Sequence, residues 1–376
     1  ELRKIKMMEK TVPMADGDDQ IKNYPADAVR NQIAACLTAW GMPADQVETT
    51  ANVMVDADKC GIDTHGLSML TTYDFRRREG ILTMAPEIKV VKETPVAALF
   101  DAGGGLGYVP SVMATELCIK KAKESGMAGI AVCNSNHFGA TGYYTRMMAD
   151  KGLIGMAFTN GSGPRTAPTF GKDAKLSTNP IAFTAPAKRN ANFNLDMATT
   201  TVAAGKIRNK ANEEQPLPVG WANDADGNPL TDASLYFTRE GTQTPLGGTR
   251  ELGSHKGYGL AMMVEILSAG LSGASLVTHP EHGYRRPGTM DIGHFFLAID
   301  PTAFRPDGAF EETVDELIDD LHATTPVDPN QPVMVAGEPE NIIRAEREKA
   351  GIPVPPGLRG KIRDIAKNSN AEFFLV

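Results

Sequence analysis

Strand-like and helical runs alternate between residues 88 and 159, and this alternation limits the possible folds more than any other feature of the chain. Residues 88–100 carry β-branched positions in two runs separated by Pro95, which reads as strand structure. Residues 110–126 read as a helix, 128–133 as a buried strand, 139–151 as a helix and 153–159 as a further strand. Helices that alternate with strands pack against a sheet, so an α/β fold is expected. The first strand runs into "FDAGGGLGY", Phe100 to Tyr108, where a dinucleotide-binding fold would carry its pyrophosphate loop. That loop needs glycine at its first, third and sixth positions. Counting from Gly103 the sixth residue is Tyr108, and from Gly105 it is Pro110, so both registers fail. The second strand also lacks an acidic end, because "NSNHFG" follows Cys133. The glycines are therefore expected to form a tight strand-to-helix connection, with any nucleotide bound elsewhere.

The flanks are helical. Residues 25–40 and 43–60 have apolar positions at helical spacing, a proline at the start, and Gly41 and Gly61 as stops. A third helix is expected over 69–79. Residues 160–249 are rich in Gly, Pro, Asn and Thr, with short strands such as 181–184; irregular structure of this kind often carries sites. Residues 257–273 read as an apolar helix, 294–300 as a buried strand, and 310–323 and 341–350 as amphipathic helices, with a short helix after Pro356. The polar stretch up to about Asn23 is expected to be a loose tail.

With 376 residues the chain can bury a large core in one big or two ordinary domains. Its net charge of -8 disfavours nucleic acid or an anionic membrane as a partner. No apolar run approaches the roughly 20 residues of a membrane helix. Cys36, Cys60, Cys118 and Cys133 stand singly in apolar surroundings, as reduced thiols do, and a cytoplasmic location is expected.

Four stretches gather ionisable groups among glycines: "GIDTHGL" from Gly61, "SNHFGATGYY" from Ser135, "STNPIAF" to "LDMATT" over 177–200, and "GGTRELGSHKGYGLA" from Gly247. Together with "VAGEPE", their order and spacing resemble the malate/L-lactate dehydrogenase family. That group includes ureidoglycolate dehydrogenase, sulfolactate dehydrogenase, 2,3-diketogulonate reductase and piperideine-2-carboxylate reductase. The resemblance runs from about Tyr24 to the C-terminus. It implies an α/β fold of three layers with a mixed sheet, without the Rossmann fingerprint and with helical N- and C-terminal parts. It also implies NAD or NADP as cofactor, a homodimer, and a small 2-hydroxy or 2-oxo acid of malate or lactate type as substrate. The domain expectation is a tail over 1–23, a discontinuous substrate-side lobe of 24–145 with 295–376, and a cofactor lobe over 146–294.

Carried over by position, the resemblance implies His137 as the proton acceptor of ureidoglycolate dehydrogenase, and His65 as the proton-transferring histidine of the diketogulonate and imine reductases. Nucleotide contacts fall to Asp196, Met197 and Ala198, to His255 and Lys256, to Ala336, Gly337 and Glu338, and near Ser162. Histidine suits the proton that must accompany hydride transfer, since its ordinary pKa of about 6.5 lets it hold or release one near neutrality. Asp196 is the expected carboxylate partner of His65. Lys256, at the start of the 257–273 helix, is expected to meet phosphate or carboxylate. Thr178 and Asn179 are expected to hold the nicotinamide ribose or amide. Substrate contacts are expected from Thr64, His65, His137 and Arg165. Many relatives carry an arginine four residues after the first histidine, and here that position is Met69; Arg165 is the candidate replacement charge. Cyclic imino acids or ureidoglycolate-like substrates are the alternative within the class. A metal-dependent hydrolase using Asp63, His65, His137 and Asp196 is the alternative from another class, though no H-x-x-x-H or H-x-H pair supports it.

Overall fold

The computed structural model of the chain describes residues 20–237, 241–279 and 290–376. A three-residue strand β1 (Lys22–Tyr24) leads into helices α1 (Ala26–Ala39), α2 (Ala44–Lys59) and α3 (Met69–Arg78). Strands β2 (Lys89–Glu93) and β3 (Ala97–Asp101), helix α4 (Tyr108–Ser125), strand β4 (Met127–Ser135), helix α5 (Gly142–Ala149) and strand β5 (Ile154–Thr159) follow. Strands β6 (Ile181–Ala185) and β7 (Phe193–Met197) precede α6 (Ala204–Asn212), β8 (Ala222–Asn223), α7 (Ala233–Tyr236) and β9 (Thr242–Gln243). Helix α8 (Ser254–Glu265) runs into a π-helical turn (Ile266–Gly270). Strand β10 (Ile292–Ile299), helices α9 (Ala309–His322) and α10 (Glu338–Ala350), strand β11 (Ile352–Val354) and helix α11 (Pro356–Ser369) complete the chain.

One mixed sheet of seven strands, ordered β2-β3-β4-β10-β5-β6-β7, forms the middle layer. Only β3 and β4 run parallel; the other pairs are antiparallel. Helices α4 and α5 cover one face, where Ala114, Cys118, Tyr144 and Met148 pack on Phe100, Ile130, Val132 and Phe296. On the other face Val264 packs on Phe158 and Ile181, and Ala269 on Cys133. β4 is buried almost throughout, as a strand covered on both faces should be, whereas β2 is an exposed edge bracketed by lysines and broken by a bulge. Helices α1, α2, α3 and α11 share a separate core built on Val29, Ile33, Leu37, Met54, Leu70, Tyr73 and Ile362.

Three expectations change. Lys22 and Asn23 lie in β1, paired with Val354 and Pro353, and not in a loose tail; three-residue strands carry no periodicity to read. Residues 1–19 of that tail lie outside the described residues. The irregular middle holds the helix α6, whose sequence "AGKIRNKAN" buries only Ile207. The expected lobe limits at 145/146 and 294/295 fall inside α5 and β10, and both parts contribute strands to the single sheet. No helix among the described residues is long and apolar enough to cross a membrane.

The topology gathers the polar stretches. The C-terminal ends of β3, β4, β5 and β7 and the N-terminal ends of β6 and β10 all meet one edge of the sheet. The glycine turn, the His137 loop, the 160–166 loop, Thr178–Asn179 and Asp196–Ala198 therefore emerge side by side. At about 4.8 Å per strand, the step from β4 to β7 spans about 19 Å.

Candidate active site

The glycine cluster turns out to be scaffolding for His137. Gly103 and Gly104 occupy the left-handed region, with φ of 64° and 76°, which residues with a side chain rarely adopt. Their amides face protein: Gly103 N–H donates to Asp101 Oδ1 at 2.8 Å and Gly104 N–H to the Asn134 carbonyl at 2.8 Å. Gly107 N–H donates to the His137 carbonyl at 3.0 Å. A Cβ at Gly107 would stand 2.6 Å from the Asn136 oxygen and 2.9 Å from His294 Nε2. These amides hold the loop that presents His137 and are not available to cradle a phosphate, as the failed glycine registers implied.

His65 and His137 face each other with ring centroids 5.3 Å apart. Helix α3 delivers Tyr73 beneath His137, its Oη 2.6 Å from Nδ1, and Tyr108 Oη lies 2.8 Å further on. Both tyrosines are fully buried. The His65 turn is pinned from below by Asp58 of α2, whose Oδ2 accepts Leu67 N–H at 2.8 Å. Gly66 sits so close that a Cβ there would fall 2.0 Å from Asp58 Oδ1. Thr64 Oγ1 lies 2.8 Å from His65 Nδ1, while Asp63 turns away to pair with Arg347. Desolvation lowers His65 to about 4. His137 is held well below its ordinary range, first by desolvation and then by His65, Arg76, His294 and Arg165. His294, stacked on Phe138 behind the loop, is pushed down to about 3 by burial. All three imidazoles are neutral at pH 7.

Arg76 is a candidate site residue that its sequence surroundings do not mark. It lies in the last turn of α3, only 9% exposed, with Nη1 donating to Asn136 Oδ1 at 2.5 Å and Nη2 3.5 Å from Ser162 Oγ. No carboxylate pairs with it among the described residues. Desolvation is the largest cause of its lowered pKa, and Arg165 and the phenols of Tyr73 and Tyr108 also act on it. Its neighbours Arg77 and Arg78 pair with Asp74. The signal that could have found Arg76 is its spacing of seven from Met69, which puts the two on one helix face. Arg165 is exposed, yet its charge reaches both Arg76 and His137.

Other expected residues take different places. Asp196 does not pair with His65: its Oδ2 accepts Gly142 N–H at 2.7 Å at the start of α5, and among the described residues no charged partner offsets the burial of His65. Asp196 is water-accessible, but the protein around it desolvates it enough to raise its carboxyl to about 6. Asn179 is fully buried, and its Nδ2 donates to the Ala261 carbonyl and to Glu265, both at 2.9 Å. It therefore fastens the loop to α8, next to the half-buried Thr178. Helix α8 begins at Ser254 because Gly253 turns the chain at φ 95°, so His255 and Lys256 lie within the first turn and not before it. Both are exposed and without an ion-pair partner among the described residues. Ala336 O accepts Asn194 N–H at 3.0 Å, which joins 336–338 to β7 two residues before Asp196; Glu338 Oε2 accepts Val335 N–H at 2.9 Å. Met197 and Ala198 are half-buried at the end of β7, and Ser162 is exposed beside Arg76. The proposed metal set does not converge, since Asp63 and Asp196 are committed to Arg347 and Gly142; no group of three or more such ligands occurs among the described residues.

Asp58 makes the support of the His65 turn pH-dependent. Burial raises its carboxyl to about 8, so it stays protonated in the folded protein while the unfolded chain ionises near 4. A raised carboxyl costs stability progressively as pH rises from about 4 to about 8. Asp58→Asn, which keeps an acceptor for Leu67, is expected to stabilise the protein by an increment that grows across that window. Thermal unfolding at pH 5 and pH 8 checks this.

With this geometry in place, the comparisons with known proteins define the class. A family profile described as malate/L-lactate dehydrogenase matches residues 24–363. The chain is 36% identical to a malate dehydrogenase of Pyrococcus horikoshii over 94% of its length and 98% of that protein. It is also 36% identical to an L-sulfolactate dehydrogenase of Methanocaldococcus jannaschii, over 88% of its length and 92% of that protein. A solved malate dehydrogenase from Entamoeba histolytica superposes with a TM-score of 0.88 at 30% identity, covering 94% of this chain and 99% of that one. The protein is thus an NAD(P)-dependent oxidoreductase acting on CH–OH donors. The chain belongs to the malate/L-lactate dehydrogenase family.

Proposed function

We propose that this site interconverts a small 2-hydroxy acid and its 2-oxo acid, of malate, lactate or sulfolactate type, with NAD or NADP. The observation that carries the reading is a pair of neutral imidazoles 5.3 Å apart beside a buried arginine that has no carboxylate partner among the described residues. An uncompensated buried cation is costly, and an anionic ligand relieves that cost. Arg76 and Arg165 are assigned to the substrate carboxylate, with Ser162, Thr64 and the imidazoles around the reacting oxygen. One imidazole gives or takes the oxygen-bound proton.

The residues fit a nicotinamide dinucleotide. Lys256 and His255 supply free cationic and polar groups at a helix N-terminus, and Asp196 is exposed at the end of β7. Thr199 N–H bonds Thr178 O at 2.9 Å and Leu246 N–H bonds Thr199 O at 2.9 Å, while Gly257 packs on Leu246. This chain of contacts carries the α8 start to the same sheet edge as Thr178. When bound, the cofactor supplies or accepts the hydride. The homodimer has a candidate contact in the exposed apolar face of α8, Met262 and Met263 with Ile266, continued by Leu271.

The test is NADH and NADPH oxidation with oxaloacetate, pyruvate, sulfopyruvate and a cyclic imino acid. Wild-type enzyme is expected to reduce at least one of the three oxo acids. Arg165→Met is expected to lower kcat/KM on it about tenfold, one charge-assisted contact. Reduction of the imino acid alone would favour the alternative substrate class, and equal kcat/KM for wild type and Arg165→Met on every acid would remove Arg165 from the site.

A further inference from the structure

The two histidines differ in what surrounds their Nδ1 atoms. Among the described residues His65 Nδ1 meets only a threonine hydroxyl, which can donate or accept, on a half-buried and solvent-reachable turn. His137 Nδ1 meets two groups on the protein side: Tyr73 Oη at 2.6 Å and the Gly139 amide at 3.4 Å. An amide N–H can only donate. Although 3.4 Å is long, its dipole points at Nδ1 and disfavours a proton there. Tyr73 must then donate its single proton to Nδ1. Its oxygen, 2.8 Å from Tyr108 Oη, is left to accept the Tyr108 proton. The polarity of the chain is set: Tyr108 to Tyr73 to His137. Packing holds it there, because a Cβ at Gly139 would stand 2.6 Å from the Tyr108 ring.

Resting on the oxidoreductase reading above, we infer that Tyr73, backed by Tyr108 and the Gly139 amide, locks His137 in the tautomer protonated at Nε2, so that His137 donates a hydrogen bond to the substrate oxygen while His65 carries the exchanging proton. A neutral imidazole protonated at Nε2 has no lone pair there to accept a hydroxyl proton. It can polarise a carbonyl and stabilise an alkoxide-like oxygen. Tyr73 and Tyr108 cannot relay a proton outward, since both are fully buried and burial raises their pKa values far above neutrality. His65 has a neutral ring and contact with solvent. As the hydroxy acid is oxidised, its C–H bond breaks and the hydride leaves to the oxidised nicotinamide, its O–H bond breaks, an N–H bond forms on His65, and the proton passes from there to water. Tyr73 is a positioning residue in this scheme.

Nitrogen-15 NMR of the 376-residue chain, labelled at its seven histidines and without ligand, tests the inference. The His137 signals, assigned by their loss in His137→Gln, are expected to show an unprotonated Nδ1 and a protonated Nε2. Tyr73→Phe is expected to mix the tautomers and lower kcat about tenfold with KM little changed, the effect of one lost hydrogen bond. Tyr108→Phe keeps the direct Tyr73 bond and is expected to leave the pattern intact. A proton on Nδ1 in the wild type, or an unchanged pattern in a folded Tyr73→Phe, overturns the inference. The wild-type spectrum decides even if Tyr73→Phe fails to fold. It also needs no turnover, so its outcome is separate from whether the enzyme reduces oxo acids.

Discussion

His137→Ala is expected to lower kcat for oxo acid reduction by about a thousandfold, within the range set by loss of one oxyanion-stabilising donor. His137→Gln, whose amide N–H can occupy the place of Nε2–H, should recover much of that loss. His65→Ala should lose about a hundredfold or more, and no His65 variant without a titrating group should recover it. The two residues thus respond differently to the same class of replacement. Steady-state kinetics of the variants measures this. If His137→Gln is as inactive as His137→Ala while His65→Ala turns over normally, the roles are reversed and His137 is the proton carrier.

Arg76→Met should separate binding from stability. Arg76 is 9% exposed and has no carboxylate partner among the described residues, so its removal relieves a desolvation cost of several kcal/mol, offset in part by the donor that Asn136 loses. The Tm is expected to rise. The KM for the oxo acid should increase about a hundredfold, equivalent to about 2.7 kcal/mol of charge-assisted hydrogen bonding. A structural arginine would behave in the opposite way, with a lower Tm and an unchanged KM. Calorimetry and steady-state kinetics on one preparation distinguish the two.

Much of the architecture was legible because its signals are local. Proline starts and glycine stops placed α1 and α2 to within a residue or two, and the buried runs located β4, β5 and β10. The register test on the glycines pointed away from a phosphate loop, but only the fold shows that the turn clamps His137. β1 and β11 were not legible because three-residue strands exist through their pairing alone. Helix α8 starts early because a glycine with positive φ serves as its boundary, a state that sequence does not display.

The site was legible in its histidines and less so in their partners. His65 and His137 stand in polar, glycine-flanked motifs, and the fold brings them together from stretches 72 residues apart. Asp196 matched a motif, but its carboxylate is taken by the α5 amide. Asn179 looked like a ligand-facing amide and proves to be an internal tie to α8. Arg76 was hidden in a basic run, because burial of one arginine among three is decided by tertiary packing. Neither Tyr73 nor Tyr108 stood out in the sequence, and only their hydroxyl contacts mark them.

The most direct test is a crystal structure of the enzyme with oxidised or reduced nicotinamide dinucleotide and a non-reacting 2-oxo acid analogue. The expected result has the analogue's carboxylate on Arg76 and Arg165, its carbonyl-equivalent oxygen within hydrogen-bond reach of His137 Nε2, and the nicotinamide ring beside both imidazoles. An analogue and nicotinamide bound away from His65, His137 and Arg76 would contradict the account at its root.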